Sequence, residues 1–114
     1  MHNDDINSFE DFWPYYVREH RLASNRYMHF IGSTLVLVLL GAAAWFGQWI
    51  VLFLLPIVGY GFAWTGHFFI ERNRPATFRY PLWSLAADWK MWAYMLAGKM
   101  NAEVERILST PART

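Results

Sequence analysis

The sequence predicts an all-α integral membrane protein built on a two-helix transmembrane hairpin with flanking interfacial or membrane helices, and three observations predict it. From Tyr27 to Ile70 the chain runs 44 residues without an Asp, Glu, Lys or Arg. A spanning helix needs about 20 apolar residues at about 1.5 Å rise each, so this run suffices for two passes. Hydrophobic residues make up 55% of the 114-residue chain, a membrane-like share that at this length reads as one domain, residues 1–114. The third observation is the position of two imidazoles: His29 and His67 each lie 19 residues from Gln48. A turn at Gly47-Gln48 therefore brings them to the same depth.

The elements follow in order. Residues 1–8 are polar and read as frayed; Ser8 with Asp11 has the form of a helix cap, but Pro14 argues against a helix continuing from there. Pro14 instead reads as the start of a short amphipathic helix running to Ala23 at the membrane interface. Ser24-Asn25 is expected to break the chain and cap the first span, placed at about 28–46 after a lead-in from Arg26. Trp45 and Trp49 mark the far interface. The second span is placed at 49–70; Pro56 should kink it, and Gly59, Ala63 and Gly66 allow close approach of a partner helix. Prolines at 75 and 81 forbid a continuous helix beyond it. A Trp-rich helix at about 82–97 holds Asp88 and Lys90 and reads as interfacial or as a shallow partner of the hairpin. Asp88 is expected to pair with an arginine. A short polar helix at 101–108 and a polar tail from 109 complete the chain.

An alternative reading of Ile31–Leu40 and Ala42-Ala43-Ala44 as a signal peptide is disfavoured by the long acidic segment before it and the second apolar run after it. Arginines at 18, 21 and 26 precede the first span and those at 72, 74 and 79 follow the second, while the hairpin tip is uncharged. The positive-inside rule then places both termini and the histidines at the cytoplasmic side, in a bacterial inner membrane or, in a eukaryote, the endoplasmic reticulum. No basic patch suggests nucleic acid.

With no cysteine, any bound metal must use imidazole and oxygen ligands. His20 and His29 are nine apart and would face opposite ways on a straight helix, so a break between them is needed to let His20 fold back toward His29. His67 and Glu71 are four apart, with Tyr60 and Ala63 on the same side. Tyr16 stands four before His20 and Asn25 four before His29, so each imidazole has a polar neighbour one turn away, as residues orienting metal-ligating histidines would. His20, His29, His67 and Glu71 are thus candidate ligands, with Tyr16, Asn25 and Tyr60 behind them; His2 is discounted. Such a set suits divalent iron, zinc or manganese. The alternatives are a metal-dependent membrane hydrolase, a non-catalytic scaffold whose histidines merely sit at the interface, and a haem carrier with two axial histidines.

The arrangement Tyr16-x3-His20-x4-Asn25-Arg26-x2-His29-x2-Gly32, followed by Gly66-His67-x3-Glu71-x3-Pro75-Ala76, resembles a family over roughly Phe9 to Gly98. These are small membrane proteins, known in bacteria as a domain of unknown function, whose yeast relative is an iron-dependent 2-hydroxy fatty acid dioxygenase. The resemblance implies Fe(II)-dependent α-oxidation, in which O2 is consumed and a 2-hydroxy fatty acid loses one carbon. It also implies that His20, His29 and His67 are needed for activity, and leaves open whether Glu71 ligates the metal or orients His67. A substrate carboxylate would then meet Arg26, Arg72 or Arg74, with its acyl tail along the hairpin in the bilayer.

Overall fold

The computed structural model describes residues 6–110. His2 and the tail from Pro111 lie outside the described residues. The chain is 81% helical, without strands among the described residues, and its elements group into two compact units.

The first unit comprises residues up to 21 and from 76 onward. Helix α1 spans Phe9–Arg18, α4 spans Pro81–Leu96 and α5 spans Met100–Leu108. Their common core contains Phe12, Tyr16, Ala87, Met91, Met100 and Ile107. Ser8 caps α1, its hydroxyl accepting from the Asp11 N–H at 3.1 Å. Helix α1 runs straight through Pro14, contrary to the start expected there. A proline inside a helix costs about 3 kcal/mol, but here Phe12, Trp13, Tyr16 and Val17 are all buried on one helical face, and that packing needs the turns on both sides of the proline. Pro81 occupies the first turn of α4, where its missing N–H leaves no bond unmade. The Trp13 indole donates to Glu103 at 2.7 Å, tying α1 to α5, and the Arg18 guanidinium donates to the Ile107 carbonyl at the end of α5.

The second unit, residues 22–75, is the hairpin. Helix α2 spans Ala23–Phe46; Gly47 closes it at φ 67, a left-handed conformation natural to glycine, and Gln48 completes the turn as expected. The return pass begins with a 3-10 segment, Trp49–Phe53, continues as α3, Leu54–Thr65, and ends in a π-turn, Gly66–Glu71. Pro56 therefore falls in the first turn of α3 and follows a 3-10 stretch, so the expected mid-helix kink is replaced by a change of helical pitch. Gly32 lies against Phe62, Val36 against Gly59 and Asn25 against Gly66, a descending register that defines the antiparallel pair.

The break between α1 and α2 falls at Glu19–Leu22 and not at Ser24-Asn25, which lie in the first turn of α2. The reason is a distant cap. The Glu71 carboxylate accepts from the Leu22 N–H at 2.7 Å, so this end of α2 is satisfied by the far end of the hairpin and not by Ser24. Both passes, 23–46 and 49–71, are long and apolar enough to cross a membrane. Their outer faces are uncovered: Trp45, Phe46, Ile50, Phe53 and Ile57 are all exposed.

Candidate metal centre

Inside the hairpin, His29 projects from the second turn of α2 and His67 from the π-turn. Their rings meet edge to face, with centroids 4.9 Å apart at 87°. Both are buried. The approach depends on small residues: a Cβ on Gly32 would come within 2.8 Å of Phe62 Cβ, so glycine sets the spacing of the two passes just beyond the His29 level.

The π-turn alters the local geometry. The Arg72 N–H bonds back to the His67 carbonyl, five residues earlier, and Arg72 adopts φ 60, reversing the chain. Asn73 is thereby returned to His67, accepting from ring Nδ1 through Oδ1 at 2.7 Å and donating its own N–H to the His67 carbonyl at 2.9 Å. With Nδ1 donating, Nε2 is the unprotonated nitrogen, the form in which imidazole ligates a metal. Glu71, four residues on from His67, accepts from the Leu22 N–H at the start of α2.

His20 follows α1, at the end of the first unit. Its Nδ1 lies 2.7 Å from the Tyr16 carbonyl oxygen, and the Tyr16 ring stacks on the imidazole with centroids 4.0 Å apart. A carbonyl can only accept, so Nδ1 carries the proton and Nε2 is again the unprotonated nitrogen. The Tyr16 hydroxyl donates to Asp88 at 2.5 Å, anchoring that ring from α4. Burial pushes the Asp88 carboxyl up to about 7, against the lowering effect of the Tyr16 bond, and burial together with Asp88 pushes the Tyr16 phenol well above its ordinary value.

His20, His29 and His67 each offer a ring nitrogen, and these atoms all lie within 4.8 Å of one another, close enough to bind a metal ion. Glu71 is not in this group. Tyr16 contacts His20 through its carbonyl and ring, whereas Tyr60 packs its ring on Trp64 at 5.4 Å. Asn25 is fully buried, and its carboxamide hydrogen-bonds no described residue. The residue that spacing missed is Asn73. Among the arginines, Arg26 is buried at the start of α2, while Arg72 and Arg74 are exposed.

Three imidazoles without thiolate fit a borderline divalent ion such as iron or zinc, and two of them have Nδ1 placed as the donor, the tautomer that ligation through Nε2 needs. Residues 6–100 match the family model described as 2-hydroxy-palmitic acid dioxygenase Mpo1-like. Neither a curated protein nor a solved structure matches the chain.

Proposed function

The chain belongs to the 2-hydroxy-palmitic acid dioxygenase Mpo1-like family, and from that premise we propose that it is a membrane-embedded, Fe(II)-dependent dioxygenase that shortens long-chain 2-hydroxy fatty acids by one carbon. The observation that carries this reading is the buried group of three histidines whose ring nitrogens lie within 4.8 Å of one another. Buried imidazoles beside a membrane span are costly to keep, and binding a metal gives them a use.

The overall conversion balances without a further reductant. A 2-hydroxy acid and O2 give the acid one carbon shorter, carbon dioxide and water: the bond between carbons 1 and 2 breaks, both carbons are oxidised, and O2 takes up the four electrons. Bound Fe(II) would supply the redox chemistry that couples O2 to the substrate.

The chain's own residues then have separate tasks. His20, His29 and His67 hold the ion, with the Tyr16 carbonyl and Asn73 Oδ1 fixing two of the rings. Arg26, Arg72 and Arg74 are the cations available to the substrate carboxylate at the membrane edge. A mostly apolar groove on the hairpin, lined by Met28, Ile57, Val58, Gly61, Phe62 and Thr65, is the surface proposed for the acyl tail. Glu71, holding the Leu22 N–H, keeps the end of α2 in place, a role that orients the site without ligation.

The test is turnover. Detergent-purified protein supplied with Fe(II) and O2 should convert 2-hydroxypalmitate to the acid one carbon shorter, and His67→Ala should insert into membranes but lose conversion. Absence of conversion by iron-loaded wild-type protein in the presence of O2 refutes the reading; hydrolysis of an ester- or amide-linked lipid by the same protein without O2 would instead favour a hydrolase.

A further inference from the structure

Asn25 is fully buried, and neither Nδ2 nor Oδ1 of its carboxamide has a hydrogen-bond partner among the described residues. An unmade buried hydrogen bond is unfavourable, and a side chain kept in that state is one that awaits a partner. Its placement is specific. Asn25 lies one turn before His29 on α2, and its Oδ1 sits where a side chain on Gly66, the residue preceding His67, would have to go: a Cβ there would fall 1.9 Å from Oδ1. Glycine at 66 thus makes room for this amide between the two histidine-bearing segments of the hairpin.

We propose that the Asn25 carboxamide is the specificity-determining group that reads the 2-hydroxyl of the substrate, an inference that rests on the function proposed above. A carboxamide presents an acceptor and a donor side by side. A 2-hydroxy carboxylate presents the complement on adjacent carbons: the hydroxyl donates to Oδ1, and a carboxylate oxygen accepts from Nδ2–H. A plain fatty acid supplies only the second partner and leaves Oδ1 buried and unpaired. Sites built to pair with a substrate hydroxyl reject the analogue lacking it far more strongly than apolar pockets reject a missing methylene. Arg26, next in the chain, is also buried.

The experiment measures binding, not turnover. Fe(II)-loaded wild-type, Asn25→Leu and Asn25→Asp proteins are titrated anaerobically in detergent with 2-hydroxypalmitate and with palmitate, and the iron content of each is determined. Wild type should bind the hydroxy acid at least about tenfold more tightly. Leu removes both polar atoms in a similar branched shape, so Asn25→Leu should bring the two acids within about twofold by weakening the hydroxy acid, at unchanged iron content. Asp replaces the donor by an oxygen, so Asn25→Asp, the variant closest in shape, should weaken both acids. A tenfold preference retained in Asn25→Leu, or unchanged binding by Asn25→Asp, overturns the proposal and leaves the dioxygenase reading standing. Loss of iron from both variants with the histidines intact overturns it in favour of Asn25 as a metal ligand. Wild-type protein that binds neither acid overturns the functional reading and this inference together.

Discussion

His67 has its tautomer set by a neighbour six residues away: Asn73 Oδ1 accepts from Nδ1, so the opposite nitrogen is the unprotonated one. Replacing Asn73 by Ala should therefore reduce iron affinity by about 10- to 100-fold while the protein still inserts, as competition with a chelator would measure. Nothing periodic in the sequence signals this partner, because it depends on the left-handed Arg72 and the π-turn before it. Spacing by one α-helical turn points to Tyr16, whose contact with His20 uses its carbonyl and ring face. The same rule set Glu71 beside His67, and its carboxylate accepts from the Leu22 N–H across the hairpin. Glu71→Gln retains a carbonyl oxygen for the Leu22 N–H and should keep both its iron and its fold; iron lost from a well-folded Glu71→Gln protein would make Glu71 a ligand after all. Gly66→Ala is the severe change. Its Cβ would collide with Asn25, and overpacking of this kind costs about 1–3 kcal/mol, readable as a lower unfolding midpoint in detergent.

Helices α1 and α4 meet through a titrating pair. With the Asp88 carboxyl raised to about 7 from an ordinary 3.8, the folded protein holds a proton that the unfolded chain releases. The native state therefore binds more protons between those values, so this contribution to stability is present at the acid end and is lost as pH rises toward 7. Thermal midpoints measured across that window should fall with pH in the wild type, and Asp88→Asn should flatten the profile. A charged pairing of Asp88 with arginine, the expectation from sequence, would give the opposite slope. Element boundaries were legible where a local signal acted alone: Gly47 ends α2 and Pro81 opens α4. They were displaced where tertiary contacts intervened, as at Pro14, overridden by the aromatic core around Phe12 and Tyr16, and at Ser24, bypassed by the Glu71 cap. Gly47→Ala should cost about 1 kcal/mol, because alanine resists the left-handed conformation that closes the helix.

For the molecule as a whole, the uncharged run from Tyr27 to Ile70 made the hairpin readable from sequence alone, and equal spacing about Gln48 brought His29 and His67 together before any coordinate did. The arginines flanking the hairpin argue for a cytoplasmic site. The chain has no cysteine, so single cysteines introduced at Arg74 and Gln48 can be labelled without background. An impermeant reagent should reach position 74 from the cytoplasmic face and position 48 from the other; the reverse pattern would move the site to the opposite compartment.

The central claim is that His20, His29 and His67 share one metal centre, and elemental analysis of detergent-purified protein tests it most directly. Wild-type chains purified after growth with iron should carry about one or two iron ions each, a count in the range of mononuclear and dinuclear sites, while His20→Ala, His29→Ala and His67→Ala chains that insert normally should carry almost none. A wild-type chain without stoichiometric metal, or all three variants retaining wild-type iron, would contradict it.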